Sequence, residues 1–465
     1  MAADRRYMTD TFYGVEAGER IRNGAFNEQV NLNGDLFPVL STRKKRYLMQ
    51  DPEHEELVIP GGYISAAENN GLVTAITGTV ETSVYKNGIS ARISTTQEQE
   101  IINFGRDNFL YPANRYIQWD ATVKVQPVDV ALTGFTFTGS ETENEITFTP
   151  NNNQPEFDAF ARSIRPGDNT RVTLFGVGNF KIQQNYIVKE SNATDHYITV
   201  YGTSSSEEPT AVSDGIIERR SPVFDYAISH KNRIWGCRFG ENDDGEFVNE
   251  IYGSALGDPL NYFVYEGTAA DSFAASVGSG GQFTGIAALG DSVIFFKEDR
   301  YYILYGTEPP FTLREVIAEG VQIGSAKSIC NINGNLYYKS NHGIMRMATD
   351  ALPVCASDAL GADIFFNATA GTDGKYYYVQ MYDGYFSSGH NRLFKFDTVR
   401  GIWYEENRIP GLKCFVRSKN NLLALASEAK GTLLEGYYVM HAMFIGFENK
   451  NAPVHIKAER YDLYP

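Results

Sequence analysis

Residues 285–296 read GIAALGDSVIFF, which is an apolar segment, a Gly-Asp turn and a second apolar segment ending in two phenylalanines. The same plan recurs downstream: residues 328–338 read SICNINGNLYY, and residues 414–425 read CFVRSKNNLLAL. Short apolar runs bounded by turn residues are typical of buried β-strands, and Asn-Gly or Asp-Gly pairs tolerate the positive φ that tight hairpins require. The chain is therefore predicted to be built from β-hairpins.

About seven such units can be traced, and the later ones recur every ~40–45 residues, the length of a four-stranded propeller blade. A single blade cannot bury both of its faces, whereas blades stacked around an axis can. We therefore predict an all-β fold, a β-propeller of about seven blades. An irregular pair of β-sandwiches is the alternative.

The repeat divides the chain into four predicted segments. Residues 1–120 are assigned to an N-terminal arm and the first blades, and residues 223–440 to the remaining blades. The pattern breaks over residues 121–222, which are predicted to form an inserted small β-barrel or sandwich domain. Residues 441–465 lose the pattern and are assigned to a tail or closing strand.

Composition limits the classes of function. Hydrophobic residues make up 42% and aromatic residues 13%, so a large β-type core can be buried. The net charge of −16 is spread along the chain, which disfavours sequence-specific nucleic-acid binding, since affinity for phosphate comes from clustered Lys and Arg. No run of ~18 apolar residues occurs, so a cytoplasmically made protein without a membrane span is predicted.

Motifs for catalysis are not found. The sequence contains no GxSxG, HExxH, Walker A or GxGxxG, and its histidines are scattered. We predict no enzyme activity, no catalytic residues and no cofactor; a hydrolase built from two converging carboxylates is the alternative. The four cysteines lack metal-site spacing and are expected to be buried free thiols, so no metal site is predicted. The acidic loop 241–246 leaves Ca²⁺ binding and a solvated hairpin tip both open.

One basic run stands out, formed by Arg43, Lys44, Lys45 and Arg46. Such a run could contact DNA phosphates or an acidic surface of a partner. A solvated loop is the alternative.

An ordered set of segments resembles a protein family. The set begins with ALGDPLNY at 255–262 and DSFAASVG at 271–278, and continues through LGDSVIFFKE at 289–298 and GVQIGSAKS at 320–328 to LYYKS at 336–340. Together they resemble the β-propeller proteins of bacteriophage tails, namely the tail nozzle, tail tubular and packaged-DNA stabilisation proteins. The resemblance covers most of the chain outside residues 121–222.

This resemblance implies a structural role in the virion tail. It implies a homo-oligomeric ring, six-membered in the best-known relatives, docked to a portal or adaptor ring and to tail fibre or distal tail proteins. Double-stranded DNA would pass through its channel without sequence-specific binding. The alternative function is a carbohydrate-binding or host-recognition propeller, for which aromatic residues exposed on one face are expected.

The basic run allows a first test. Replacing Lys44, Lys45 and Arg46 with Gln is expected to make DNA-filled particles leak DNA while their rings stay intact, because each lost phosphate contact weakens seating of the DNA end. DNA retention in purified particles measures this. Failure of the rings to assemble would instead assign the run to a contact between subunits.

Overall fold

We analysed the protein in a computed structural model. It describes residues 11–18, 21–39, 41–43, 47–48, 58–60, 63–69, 72–78, 82–86, 89–93, 99–119, 123–140, 144–151, 154–164, 166, 169–175, 181–202, 215–242, 245–265, 267–361, 364–384, 390–418, 421–430, 437–444 and 455–457. The helices, strands and contacts of the protein are described for these residues.

Seven antiparallel sheets follow one another along the described chain, six of them made of four consecutive strands. Their strands are, in sheet A, Tyr63–Asn69, Leu72–Gly78, Thr82–Lys86 and Ile89–Ile93; in sheet B, Glu100–Phe104, Asp107–Tyr111, Arg115–Trp119 and Val123–Pro127; in sheet C, Tyr226–His230, Arg233–Glu241, Phe247–Gly253 and Phe273–Ser276; in sheet D, Gly285–Leu289, Ser292–Phe296, Tyr301–Tyr305 and Thr312–Val316; in sheet E, Cys330–Ile332, Asn335–Ser340, Gly343–Ala348 and Val354–Cys355; and in sheet F, Phe366–Thr372, Tyr376–Tyr382, Asn391–Asp397 and Ile402–Glu406.

Sheet G draws on two distant parts of the chain. Its strands Leu412–Ser418, Asn421–Lys430 and Tyr437–Phe444 pair in order, and both Tyr47–Leu48 and Val58–Pro60 pair with Tyr437–Phe444. Two small pairs complete the described strands: Glu28–Val30 with His455–Lys457, and Leu32–Asn33 with Ser41–Thr42. Two 3₁₀ turns lie at Ala326–Ser328 and Asp358–Leu360.

The chain divides into two compact units. The first comprises Met1–Asn103, Gly280–Tyr305 and Thr312–Pro465, and the second comprises Phe104–Ser279 with Gly306–Phe311. The first contains sheets A, D, E, F and G. The second contains sheet C, most of sheet B and a separate seven-stranded sheet.

Alternate side chains of one strand bind the sheets of the first unit together. Leu336 and Tyr338 of sheet E pack into one apolar cluster with sheet D, whereas Tyr337 packs into another with sheet F. Successive residues of a strand point to opposite faces, so a strand buried on both faces reads as a continuous apolar run. This explains why segments such as LYY at 336–338 do not alternate between polar and apolar residues.

The second unit holds a seven-stranded sheet in the interval predicted for the insertion. In spatial order its strands are Val130–Thr133, Gly215–Arg219, Asn169–Phe175, Lys181–Asn192, Tyr197–Tyr201, Glu145–Pro150 and Phe135–Ser140. It has its own core, which includes Phe135, Phe148 and Ile198. The fourth strand of sheet B also runs into the predicted interval, ending at Pro127.

Among its described residues this region contains one α-helix, at Gln154–Ser163, which the prediction of a small β-barrel or sandwich did not include. Phe157, Phe160, Ala161 and Ile164 recur at helical spacing and are all buried in the core of the seven-stranded sheet. Pro155 suits the first turn, and Arg162 suits the negative end of the helix dipole.

The predicted fold class is confirmed, because the described chain is almost entirely β and its repeating element is the four-stranded antiparallel sheet of a propeller blade. Ten helical residues at Gln154–Ser163 do not alter this class. The number of blades in a closed ring and the status of the seven-stranded sheet as an inserted domain remain predictions.

Arg233 fixes the connection that follows the third strand of sheet C. Its buried guanidinium donates to the carbonyl oxygens of Ser254 at 2.7 Å, Asp271 at 2.6 Å and Ala269 at 2.8 Å. The same guanidinium lies 5.3 Å from the ring centre of Phe311. One side chain therefore holds both ends of a long connection against the sheet.

Replacing Arg233 with Ala is expected to lower the free energy of unfolding by about 3–5 kcal/mol, since three buried carbonyl groups lose charge-assisted partners. Denaturant unfolding followed by tryptophan fluorescence measures the loss. Arg238→Ala is the matched control on the same strand: its ion pair with Asp225 is partly exposed, so a loss of about 1 kcal/mol or less is expected. Equal losses in the two variants would contradict this role for Arg233.

Candidate interaction site

The described residues of segment 11–43, here called the arm, lie along the outer edge of sheet F. Val15 N donates to the carbonyl of Trp403 at 2.8 Å, and Asn31 N donates to the carbonyl of Glu405 at 2.9 Å. Trp403 and Glu405 both belong to the strand Ile402–Glu406. An open sheet edge is a template for unwanted pairing, and the arm occupies this one.

A close backbone approach places the arm. Gly14 has φ +73°, and a Cβ at this position would overlap the carbonyl oxygen of Trp403. Glycine adopts positive φ at no steric cost and leaves room for a neighbouring backbone. Next to this point Phe12 and Leu32 pack on Ile402 and Tyr404, so the arm adds its own small apolar cluster to the sheet.

An acidic residue of the arm neutralises a buried lysine of the sheet. The carboxylate of Asp35 accepts a hydrogen bond from the Tyr376 hydroxyl at 3.1 Å and lies 3.4 Å from Lys395 Nζ. The Lys395 ammonium also sits 3.8 Å from the centre of the Tyr376 ring. Burial raises the pKa of Tyr376, and the Asp35 charge raises it further. The phenol therefore stays protonated and donates to Asp35.

Arg43, the first residue of the predicted basic run, is buried between the arm and the sheet. Its Nε donates to Asn31 Oδ1 at 2.7 Å and lies 3.6 Å from Glu406 Oε2. The side chain thus makes an ion pair within its own chain. The contact of Arg43 with DNA or a partner stays a prediction. Lys44, Lys45 and Arg46 lie outside the described residues, and their proposed contact remains a prediction.

The tip of the arm is apolar and exposed. Leu36 and Val39 flank Phe37, whose ring centre lies 5.0 Å from the Arg400 guanidinium. Val399, next to Arg400 on the hairpin of sheet F, is 76% exposed. We refer to Leu36, Val39 and Val399 as the tip patch. Aliphatic side chains held outward on an anchored backbone are suited to contact another protein.

The structure also describes the other candidates from the sequence, namely the acidic loop 241–246 and the four cysteines. In the acidic loop, Asn242 organises the hairpin, since its Oδ1 accepts from Glu246 N at 2.9 Å; Asp243 and Asp244 lie outside the described residues. Within the described part of the chain, no group of three or more His, Cys, Asp or Glu side chains could hold a metal. The thiols of Cys237, Cys330, Cys355 and Cys414 are free. Cys237 and Cys414 are buried as expected, whereas Cys330 is partly exposed and Cys355 is exposed, so the expectation was wrong for Cys355.

The sequence reading missed Asp35 and Lys395. Lys395 lies inside LFKFD, residues 393–397, where a charge interrupts an apolar strand. Such an interruption is a usable signal, because a buried charge needs a partner. Its partner could not be found from sequence, since Asp35 belongs to a distant segment without any periodic pattern.

Comparison with solved structures gives weak similarities. No family model matches the chain, and no curated protein matches it. Apo AztD from Citrobacter koseri is 13% identical, with 82% of this chain and 98% of that chain covered and a TM-score of 0.34. BamB from Moraxella catarrhalis is 10% identical, with 90% and 91% covered and a TM-score of 0.33.

A third similar structure is the acylaminoacyl peptidase of Pyrococcus horikoshii. It is 11% identical and has a TM-score of 0.36, with 86% of this chain and 52% of the peptidase covered. Similarities this low assign no function to the chain. In the part of the chain that is described, no helix has the length and apolarity needed to cross a membrane.

The close packing of the arm against Trp403 at Gly14 can be tested by substituting two glycines. Gly14→Ala is expected to loosen the arm, because the new methyl group overlaps the Trp403 carbonyl and φ is positive; the cost is about 1–3 kcal/mol. Gly18→Ala is the control, since a methyl group there meets no other atom. Limited proteolysis with mass mapping should show at least about tenfold faster cleavage within 11–43 in Gly14→Ala only. Identical cleavage rates in both variants would show that the packing of Gly14 on Trp403 does not anchor the arm.

Proposed function

We propose that this chain is a structural protein of a bacteriophage tail, acting as one subunit of a ring in the nozzle or tail tube. It is made in the cytoplasm of the host bacterium and works in the virion tail, where the ring forms part of the conduit that retains and releases the genome. Its neighbours are a portal or adaptor ring and tail fibre or distal tail proteins. In this proposal the seven sheets are seven propeller blades and the seven-stranded sheet is an inserted domain.

The main support is the ordered set of family-like segments between Ala255 and Met347. These segments supply buried residues that determine local structure: Tyr262 and Ser272 in the connection of sheet C, and Phe295 in sheet D. Gly320 lies against the Lys297 carbonyl, where a Cβ would not fit. The resemblance therefore falls on positions with a structural requirement, as expected for a shared scaffold.

The charge of the chain supports passage of DNA without gripping it. A protein that neutralises ~6–10 phosphates changes its DNA affinity by ~10³–10⁵ between low and moderate salt. In a chain with net charge −16, basic residues are mostly interspersed with acidic ones, and residues 43–46 are the one basic run that stands out. Arg43 is further withdrawn by its pairing with Asn31 and Glu406. A wall of this composition favours release of a long genome.

The tip patch supports assembly with other subunits. Leu36 is 67% exposed and Val399 is 76% exposed. Both lie on hydrogen-bonded turns, since Val39 N donates to the Leu36 carbonyl and Val399 N donates to Asp397 Oδ1. Preformed apolar contacts avoid part of the ordering cost of association. We assign the patch to the contact between neighbouring subunits of the ring.

A carbohydrate-binding propeller is less well supported. Sugar recognition would be expected to expose aromatic rings together on one face. Among the large hydrophobic side chains that are exposed in the described residues, only Tyr201, Phe247 and Tyr265 are aromatic, and the others are aliphatic. This composition favours protein contacts over sugar stacking.

Reconstruction of the intact virion tests the proposed function directly. Six copies of the chain are expected around the tail axis, next to the portal or adaptor ring. A single copy, or copies placed away from the axis, would refute the tail-conduit function.

A double variant and a control variant test the tip patch in phage particles. Leu36→Asp combined with Val399→Asp is expected to reduce infectious particles by at least about 100-fold, because a charge buried in an interface without a partner is costly. Ile317→Asp is the control: this residue is as exposed as Val399 but lies outside the patch. If both variants assemble normally, the patch is not a subunit contact.

A further inference from the structure

A second site lies in the first unit, where sheets E and F meet. It is a pocket of about 300 Å³ at the side of strands Asn335–Ser340 and Gly343–Ala348, bounded on the other side by residues from 355–361 and by Ile364 and Phe365. The apolar part of its wall comes from Ile344, Leu360, Phe365 and Met381. A volume of this size fits a small organic molecule.

Lys339 lines this pocket and carries a buried ammonium group. The residue is only 2% exposed, and its Nζ donates to the carbonyl oxygen of Ser340. An ammonium has three donors and a full charge, so one carbonyl leaves it poorly compensated. No carboxylate of the described residues lies within ion-pair distance of Lys339.

The charged groups around Lys339 are already committed or uncharged. The charge of Glu319 acts on Lys339, but Glu319 Oε1 pairs with His342 Nδ1 at 2.8 Å. Cys355 also lines the pocket, and partial desolvation of its thiol together with Asp358 raises the pKa of that thiol, so it stays neutral at neutral pH. Burial lowers the pKa of Lys339 itself from 10.5 to about 8, although both Cys355 and Glu319 oppose the change.

Lys395 of sheet F shows what a compensated lysine looks like in the same fold. It is buried to a similar degree, 4% exposed, yet its ammonium lies 3.4 Å from the Asp35 carboxylate and over the Tyr376 ring. The two lysines differ in their partners: Lys395 has a counter-charge from the arm and an aromatic ring, whereas Lys339 has one carbonyl and lines a cavity.

We propose that the pocket binds a small carboxylate with an apolar body, whose carboxylate pairs with Lys339 and whose body packs against Phe365, Met381 and Leu360. The anion supplies the charge that the fold does not, and the apolar wall selects against small hydrated anions. This site is independent of the proposed tail function, and its test does not depend on ring assembly.

Binding to the full-length protein is measured by isothermal titration calorimetry at pH 7 with hexanoate, benzoate and phenylacetate. At least one of them is expected to bind with a Kd of about 1 mM or tighter. The neutral alcohol with the same carbon skeleton and inorganic phosphate should each bind at least about tenfold more weakly. The alcohol lacks the negative charge that pairs with Lys339, and phosphate lacks the apolar body. Absence of binding by all three carboxylates, or equal binding of phosphate, would overturn the proposal.

Two lysine variants assign the site. Lys339→Met keeps the side-chain length without the charge and is expected to abolish carboxylate binding without loss of thermal stability. Lys395→Met should lower the melting temperature, because Asp35 loses its partner, yet keep carboxylate binding; Lys375→Met replaces it as control if Lys395→Met does not fold. Unchanged carboxylate binding in Lys339→Met would overturn the assignment.

The pH dependence gives a readout that a purely structural role would not produce. Only the ammonium form pairs with the ligand, so affinity should fall about tenfold per pH unit above about 8 in the wild type. Between about 8 and 10.5 the unfolded chain binds more protons at Lys339 than the folded one, so stability relative to Lys339→Met should rise with pH. A flat affinity profile through pH 10 would contradict pairing with Lys339.

Discussion

The burial of both faces of each central strand is the constraint on which the first unit depends. Strand Tyr376–Tyr382 directs Tyr377 and Val379 to sheet E and directs Tyr376 and Tyr378 to sheet G. Neither set can be shielded by its own sheet, so the stability of each sheet comes from its neighbours. The same constraint explains the aromatic composition, since large flat side chains fill the wedge between twisted sheets.

This constraint also determined what could be predicted. Segment 285–296 predicts two paired strands, and the structure pairs Gly285–Leu289 with Ser292–Phe296. Helix Gln154–Ser163 was missed because ten residues with four apolar positions carry a weak signal inside a β-rich segment. The strands Tyr47–Leu48 and Val58–Pro60 have two and three residues, too few for any period to appear.

The candidate sites were harder to predict than the fold. Arg43 belongs to a basic run that reads as a solvated or anion-binding loop, yet its side chain pairs with Glu406. Lys339 and Lys395 occupy similar sequence surroundings, YYKS and LFKF, and only the three-dimensional position of Asp35 separates them. Local sequence can show that a charge is placed in an apolar strand. Whether that charge has a partner depends on contacts between distant segments.

The composition of sheet G has a consequence for how the chain folds in the cell. Its strand Tyr437–Phe444 receives Tyr47–Leu48 and Val58–Pro60, and Glu28–Val30 likewise pairs with His455–Lys457. At ~5–20 residues per second, the ribosome needs about 20–80 s between making the early strands and their partners. During that interval the early strands lack the strands with which they pair, so this part of the molecule can complete its folding only after Tyr437–Phe444 and His455–Lys457 have been made.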